Sequence, residues 1–354
     1  MKKCTLHIGM SKSGTSFIQR SLELNKKKLI ENDLYPFYRP RILPACFIEA
    51  DPHKSIFREM GLTDVDSIKS FQNDRSIVIE KNLDNCTNAI FSSEWLCGFD
   101  EQKINSLHSF LKPYFDDFSV IVYFRRQDRY AASLYNLRLI TGSTSPEVLM
   151  LDDVNSYKYN YLKVLSSWEK YFGKSSLKPR IFDKSIFEKN DLFYDFFGQI
   201  EGLNVESLVK PEASNESLTV AAQECLRILN KELIRFKNNR PLKNRKVVVG
   251  ILKEYFSGRG KLPAREAAKE FQENFEQSNE IMFKRYFNNQ CSGFDYSFDE
   301  YPVLGSRQFS DRELSRVFDV LINQLSDRGY KDVAKLVNII WNDGKHSSLF
   351  GGVS

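Results

Sequence analysis

The first residues able to do chemistry form a loop near the start of the chain. From His7 to Gln19 the sequence reads HIGMSKSGTSFIQ, with a short apolar stretch before the loop and a helical pattern after it. Gly9 and Gly14 let the backbone turn tightly and approach a ligand closely, and Lys12 adds a positive charge. Further hydroxyl donors are Ser11, Ser13, Thr15 and Ser16. A loop between a strand and a helix directs backbone N–H groups at an anion, so the sequence predicts a site for a phosphate-like group.

This loop partly matches the phosphate-loop pattern of nucleoside triphosphatases, G-x-x-x-x-G-K-S/T. Gly9, Gly14 and Ser16 fit that pattern. Thr15 occupies the lysine position, and Lys12 stands two residues before the second glycine instead. A turn that only joins a strand to a helix is the alternative interpretation.

A second candidate site follows the clearest strand pattern of the chain. Residues 119–124 read SVIVYF, a continuous apolar run that is typical of a central parallel strand. Arg125 and Arg126 follow directly, and Ser133 comes eight residues after Arg125 within a helical pattern. Unpaired charges are costly to bury, so two arginines at the end of a buried strand favour an anionic ligand.

Two residues are candidates for a general base. Glu94 follows the strand-like stretch 89–93, and the carboxyl edge of an α/β sheet is where ligands bind. Capping of the following helix is the alternative role for Glu94. His53 lies in the stretch 45–72, which we predict to be helical, and histidine titrates close to neutral pH. A structural or exposed histidine is the alternative at that position.

Strand-like and helix-like segments alternate over the first 210 residues. This alternation predicts an α/β fold with a parallel β-sheet flanked by helices. Predicted strands cover 4–8, 76–80, 89–93, 119–124 and 177–183. Predicted helices cover 15–30, 45–72, 102–115, 127–140, 161–173, 189–200, 271–287 and 310–342. We expect one domain over residues 1–354, with an α/β core in 1–210, a mainly helical part in 211–345 and a flexible tail in 346–354.

Two strings resemble the anion-binding motifs of sulfotransferases that use 3′-phosphoadenosine 5′-phosphosulfate (PAPS). The string KSGTS, residues 12–16, resembles the loop that binds the 5′-phosphosulfate. The string YFRRQDRYAASLYN, residues 123–136, resembles the 3′-phosphate motif, with an arginine at a strand end and a serine eight residues later. FSSE, residues 91–94, is similar to a strand of bacterial carbohydrate sulfotransferases.

The resemblance implies a P-loop nucleoside-triphosphatase-like sulfotransferase fold, with PAPS as co-substrate and no required metal. The implied PAPS-binding residues are Ser11, Lys12, Ser13, Gly14, Thr15, Ser16, Arg125 and Ser133. Lys12 is also the implied catalytic cation, and Glu94 or His53 takes the proton of the acceptor. The implied acceptor is a hydroxyl or amine, with a carbohydrate or glycolipid as its carrier.

Two other functions fit the same residues. One is a phosphate-loop kinase or triphosphatase that uses ATP and holds Mg²⁺ at Ser16, but it leaves the spacing of Arg125 and Ser133 unexplained. The other is a non-catalytic module that binds nucleotides or glycans. Loss of activity on mutation of Lys12 separates that module from both enzymes.

The composition suits a globular protein with anionic ligands. The chain has 354 residues and a formal net charge of +5, which is too small to predict nucleic-acid binding. No run approaches the roughly 20 apolar residues of a membrane span, and the first residues show no secretory signal. Six scattered cysteines suit reduced thiols. We expect a cytoplasmic protein; peripheral attachment at the inner membrane stays open, and the oligomeric state is not predicted.

Two features of the later chain have alternative interpretations. Basic residues recur between Lys231 and Arg265, as a solvated helical face or as an electropositive rim for an acidic glycan acceptor. Asn215 opens a string that resembles a late turn of the family, and an ordinary helix N-cap is the alternative.

Overall fold

The computed structural model describes residues 1–212, 217–287, 293–305 and 308–346, with side chains described to residue 343. Asn215 and the tail beyond residue 346 lie outside these ranges. The chain divides into two compact units. The first unit consists of Met1–Tyr130, Leu151–Ala213 and Glu270–Ser297, and the second consists of Ala131–Met150, Ser214–Lys269 and Phe298–Ser354.

A parallel sheet forms the centre of the first unit. Its strands are β1 (Lys3–His7), β2 (Leu34–Phe37), β3 (Asn88–Ser92), β4 (Asp117–Phe124) and β5 (Leu177–Ile181). They lie in the order β2-β3-β1-β4-β5, and every neighbouring pair is parallel. A short hairpin in the second unit adds β6 (Phe236–Lys237) and β7 (Arg240–Pro241). The predicted α/β class, a parallel sheet flanked by helices, is confirmed.

Helices make up most of the remaining regular structure. In chain order they are α1 (Thr15–Leu24), α2 (Lys26–Glu31), α3 (Ile42–Ala45), α4 (Ser55–Met60), α5 (Val65–Asp84), α6 (Glu101–Leu111), α7 (Gln127–Thr141), α8 (Tyr161–Phe172), α9 (Leu192–Phe197), α10 (Val220–Leu229), α11 (Lys243–Tyr255), α12 (Arg265–Glu273), α13 (Glu276–Tyr286), α14 (Asp311–Asp327) and α15 (Lys331–His346).

The apolar run of β4 places it inside the sheet, as predicted. Val120 to Phe124 are all fully buried, because helices cover both faces of a parallel sheet and leave no solvent-facing side. β1 lies in the middle of the sheet, between β3 and β4. β2 is an edge strand, which accommodates Pro36 because an edge position does not need every backbone N–H.

The predicted strand at 76–80 is wrong, because these residues lie inside α5. The side chain of Asp64 accepts a hydrogen bond from the Ser67 amide and starts this helix. Ile77 and Val78 are 54% and 47% exposed, whereas a parallel strand would bury both faces. The buried side chains recur at helical intervals: Ile68, Ile79 and Leu83. A short β-branched run does not by itself distinguish a strand from one turn of an amphipathic helix.

Two predicted helices are interrupted. The stretch 45–72 contains the end of α3, all of α4 and the start of α5, and Gly61 ends α4 in the left-handed conformation with φ of 76°. The stretch 15–30 is divided into α1 and α2 at Asn25, whose side-chain amide donates to the carbonyl oxygens of Ser21 and Val209. The first interruption comes from the backbone conformation of Gly61 and the second from the side-chain bonds of Asn25. Hydrophobic periodicity predicts neither.

The second unit packs α10, α11, α14 and α15 around an apolar core. Arg245, from the basic stretch, is buried there and donates to the carbonyl oxygens of Leu139 and Ile140, both at 2.9 Å. Burial lowers the pKa of Arg245 to about 10. This arginine satisfies carbonyl groups at the end of α7, so it does not contribute to a solvent-facing basic rim.

Three further properties hold for the described residues. None of their helices combines the length and the apolar character needed to cross a membrane. Among them, no group of three or more His, Cys, Asp and Glu side chains is placed to hold a metal ion. The cysteines described are free thiols, and burial raises the pKa of Cys97 to about 12.

Candidate functional site

The candidate site lies at the carboxyl ends of three neighbouring strands. The loop 8–14 follows β1, Glu94 comes two residues after β3, and Arg125 directly follows β4. The chain passes from β1 to β2 and β3 on one side of the sheet and then to β4 and β5 on the other. Ligands of open α/β sheets bind outside the carboxyl ends of the strands, at the point where the strand order changes direction.

Strand pairing continues into the loop and fixes its start. The Ile8 amide donates to the carbonyl of Ile121 at 3.0 Å, and the Ser93 amide donates to the carbonyl of His7 at 3.0 Å. β1 is therefore held on both sides up to the residue before Gly9. The position of the loop is set by the rigid centre of the sheet.

The amino end of α1 has no side-chain cap. Its N-cap, Gly14, has φ of 79° and offers no side chain to the first helical amides. The first intrahelical bond runs from the Ile18 amide to the Gly14 carbonyl, so the N–H groups of the preceding turn have no helical acceptor. Lys12 has φ of 63°, a left-handed conformation that is unfavourable for a residue with a side chain. Such strain is typical of functional loops.

Two hydroxyl groups of the loop form hydrogen bonds within the loop. Ser13 Oγ and Thr15 Oγ1 both donate to the carbonyl oxygen of Met10, at 2.7 and 2.9 Å. Ser13 and Thr15 are buried, whereas Ser16 is exposed and Ser11 is half-buried. Each hydroxyl has one proton, so the side-chain protons of Ser13 and Thr15 are engaged within the loop. The Ser13 amide also donates to the Met10 carbonyl, at 3.4 Å.

Both loop glycines are required by close contacts. A Cβ atom on Gly9 would lie 2.5 Å from Thr15 Oγ1 and 2.8 Å from His7 Nε2. A Cβ atom on Gly14 would lie 2.2 Å from Leu192 Cδ2, in addition to the unfavourable positive φ. The tight turn therefore depends on glycine at both positions.

Arg125 brings a second cation to the loop. Its Nη1 atom lies 3.5 Å from the Lys12 carbonyl oxygen, and its guanidinium lies 5.9 Å from the centre of the Phe182 ring. The Tyr161 hydroxyl donates to the Arg125 carbonyl at 2.6 Å and fixes the backbone after β4. The Arg125 guanidinium therefore contacts the loop backbone at Lys12, 113 positions earlier in the chain.

The neighbouring arginines have structural roles that the sequence left unassigned. Arg126 is buried and forms a bidentate ion pair with Asp128, with N–O distances of 2.7 and 2.8 Å. Arg129 contacts the carboxylates of Asp183 and Asp295 at 3.4 and 3.1 Å.

Glu94 is oriented by a residue that sequence reasoning missed. Gln19 Nε2 donates to Glu94 Oε2 at 3.0 Å and lies 3.4 Å from the Ser92 carbonyl oxygen. The short helical turn that follows has Trp95 as its N-cap without a side-chain bond, so Glu94 does not cap it. Gln19 stands four residues after Thr15 on α1, and that helical spacing was the only sequence signal for its position.

His7 supports the loop from beneath and was also not among the predicted site residues. It is fully buried, and its Nδ1 atom lies 2.8 Å from Ser92 Oγ. Its Nε2 atom is buried beside Gly9 without a hydrogen-bond partner among the described residues. Burial lowers the pKa of His7 to about 3, so the ring is neutral at physiological pH.

Two of the predicted site residues, His53 and Ser133, are not shown in contact with the loop. His53 is exposed in the turn before α4, and its backbone amide donates to Asp51 Oδ1 at 2.8 Å. No hydrogen bond or ion pair within the described ranges joins His53 to the loop or to Glu94. Ser133 is half-buried on α7 and belongs to the second unit.

Comparisons with known proteins give little further information. No family model matches the chain, and no solved structure matches it. An uncharacterized protein of Archaeoglobus fulgidus is 26% identical over 187 residues, which cover 48% of this chain and 46% of that protein. The chain thus spans about half the length of that relative. The similarity names no activity.

Proposed function

We propose that the chain is a PAPS-dependent sulfotransferase with a P-loop-type fold, acting on a hydroxyl or amine of a carbohydrate or glycolipid. The observation that carries this proposal is the uncapped amino end of α1, with Lys12 and Arg125 beside it. The arrangement offers backbone donors and two cations to one ligand. It suits a nucleotide with phosphate groups at two positions better than a single isolated phosphate.

The loop has the donors that a phosphosulfate group requires. The N–H groups of residues 14–16 lie at the positive end of the α1 dipole and bind the 5′-phosphate, whereas the Ser13 amide donates to the Met10 carbonyl. Lys12 compensates the negative charge that increases on the phosphate oxygen as sulfuryl transfer proceeds. PAPS, when bound, supplies the sulfuryl group. The protein supplies positioning and electrostatic stabilisation, as in phosphoryl transfer.

Arg125 is the residue we assign to the 3′-phosphate. Its planar guanidinium suits a bidentate phosphate contact, and Tyr161 fixes its backbone at the end of β4. Ser133, the partner implied by the family resemblance, stays a prediction. The neighbouring Arg126 is excluded from this role because it is buried against Asp128.

Glu94 is the residue we assign as general base. Gln19 holds the Oε2 atom of its carboxylate, so the carboxylate has a fixed orientation at the carboxyl edge of the sheet. We assign the Oε1 atom to the acceptor proton. His53, the other candidate base, is not assigned this role, because it lies in an exposed turn and no bond within the described ranges joins it to the loop or to Glu94.

Transfer of radioactive sulfur from labelled PAPS to a panel of 4-nitrophenyl glycosides tests this function. We expect transfer by the wild type, a loss of at least a hundredfold in Lys12→Ala, and a similar loss in Glu94→Gln. His53→Gln is the matched control and should keep wild-type activity. Transfer of the γ-phosphate of ATP to the same panel, with none from PAPS, would replace the proposal with a kinase.

A further inference from the structure

We infer that a pocket between β2 and α5 binds the acceptor and that this acceptor is an acidic sugar ring. The identity of the pocket as an acceptor site rests on the proposed function. The predicted affinity of the pocket for acidic sugars is independent of the proposed function. The pocket belongs entirely to the first unit and has a volume of about 230 Å³. It is somewhat smaller than the roughly 300–1,000 Å³ of drug-sized ligand sites, so its size suits one substituted ring.

The charge of the pocket lining is positive. Lys26, Arg39 and Arg75 line it, and no Asp or Glu is among its lining residues. These three cations have no ion-pair partner among the described residues, whereas the nearby Arg41 is paired with Glu59 at 2.5 Å. Cations that converge on a pocket without a carboxylate favour an anionic ligand, and arginine suits carboxylate and sulfate groups in particular.

Aromatic rings form the wall that β2 supplies. Tyr35 and Phe37 lie two residues apart on the strand with ring centres 4.9 Å apart, and Phe37 stacks on Phe91 of β3 at 4.2 Å. Tyr38 continues this wall beyond the strand. Flat apolar faces with polar groups around them suit a sugar ring, since its C–H face packs on them while its hydroxyls reach donors and acceptors.

The pocket includes the end of the strand that leads to Glu94. Ser92 and Ser93 line it, and Glu94 is the next residue of the chain. Ser93 Oγ donates to the Pro40 carbonyl at 2.6 Å, which ties the segment after β2 to the end of β3. A ring in this pocket would therefore be next to the segment that carries the proposed base.

Ligand-observed NMR titration of the full chain tests the inference with three probes. They are 4-nitrophenyl β-D-glucuronide, the 6-sulfated 4-nitrophenyl β-D-glucoside, and the neutral glucoside. We expect at least one acidic probe to bind tenfold or more tightly than the neutral glucoside. In Arg39→Ala/Arg75→Ala that preference should disappear, because both exposed cations are removed. The matched control Lys243→Ala/Lys246→Ala removes two exposed cations of α11 and should keep the preference.

Equal binding of all three probes, or a preference that survives in Arg39→Ala/Arg75→Ala, overturns the inference. Titration of the wild type with adenosine 3′,5′-bisphosphate and with the acidic probes separates the two proposals. If the bisphosphate binds and the acidic probes do not, the acceptor inference fails and the sulfotransferase proposal stands. If the acidic probes bind and the bisphosphate does not, the pocket stands as an acidic-sugar site and the proposed function fails.

Discussion

Lys12 occupies a conformation that a smaller residue would adopt more easily. Its φ of 63° lies in the left-handed region, where a side chain is unfavourable by roughly 1–2 kcal/mol. Strained backbone is typical of functional sites, and this strain fits the proposed role of Lys12 in binding an anion beside the amino end of α1. The loop therefore has lower stability than a glycine turn would have.

Lys12→Gly should separate stability from binding. We expect the free energy of unfolding to rise by about 0.5–1 kcal/mol, because glycine relieves the backbone strain. Affinity for adenosine 3′,5′-bisphosphate should fall at least tenfold in the same variant. Asp33→Gly is the matched control, since exposed Asp33 has φ of 59° outside the site and its substitution should affect stability alone. Urea unfolding and calorimetry measure the two quantities. A stable Lys12→Gly variant with unchanged affinity would contradict the role of Lys12.

His7 should make the folded state sensitive to acid. In the unfolded chain its pKa has the ordinary value of 6.5, whereas burial lowers it to about 3 in the folded chain. Below pH 6.5 the unfolded state therefore binds a proton that the folded state does not bind. The free energy of unfolding should decrease by up to about 1.4 kcal/mol per pH unit from this group as pH falls from 6.5 towards 3.

Urea unfolding between pH 7 and 4.5 checks this expectation. His7→Gln should show a smaller decrease in stability with acid than the wild type. His53→Gln changes an exposed histidine and should keep the wild-type slope. Equal slopes in the wild type and His7→Gln would show that His7 is not buried in its neutral form.

At the scale of elements, the candidate site depends on how the amino end of α1 is held in place. The strand before it is fixed by β3 and β4, and the helix after it begins at a glycine without a side-chain cap. Leu192 of α9 packs against that glycine. The anion site therefore combines a rigid strand, a strained loop and a tightly packed helix start.

Gly14→Ala and Gly61→Ala form a matched pair at this scale. Both glycines have nearly the same φ, 79° and 76°, but only Gly14 has atoms where a Cβ would lie. We expect Gly61→Ala to lower the free energy of unfolding by about 1 kcal/mol through backbone conformation alone. Gly14→Ala should lower it by at least about 1 kcal/mol more, and it should abolish bisphosphate binding. Equal losses in urea unfolding would mean that the contact with Leu192 is unimportant.

Sequence patterns predicted the sheet better than they predicted the site. β1, β3 and β4 follow from short apolar stretches, since buried parallel strands favour continuous apolar residues. β5, which reads LKPRI, was also predicted, although it is not an apolar run. The run at 76–80 gave a wrong strand, because one turn of α5 has the same composition. Gln19 and His7 were missed, since their roles depend on Ser92 and Glu94, which lie more than 70 positions away.

At the scale of the whole molecule, each of the two compact units has its own apolar core. In the second unit the basic stretch between 231 and 265 is not uniform. Arg245 is buried among carbonyl oxygens, whereas Arg240 is exposed on the hairpin. Composition alone counts both as positive charges, but only burial and hydrogen bonding distinguish their roles.

Arg245→Met should destabilise the second unit strongly. It removes a buried donor from the carbonyl oxygens of Ile140 and Leu233 and from Asn230 Oδ1. We expect a loss of about 3–5 kcal/mol in the free energy of unfolding. Arg240→Met, an exposed control, should change it by less than about 0.5 kcal/mol. Urea unfolding followed by far-UV circular dichroism makes the comparison; similar values for both variants would contradict the structural role of Arg245.

Calorimetric titration with adenosine 3′,5′-bisphosphate in the presence of EDTA tests the central claim most directly, with ATP and Mg²⁺ as the comparison. The sulfotransferase proposal predicts micromolar binding of the bisphosphate without metal, and at least a tenfold loss of affinity in Arg125→Ala. Arg312→Ala, an exposed arginine of α14 in the second unit, is the control and should bind as the wild type does. No binding of the bisphosphate, together with metal-dependent binding of ATP, would contradict the proposal and identify the loop as that of a kinase or triphosphatase.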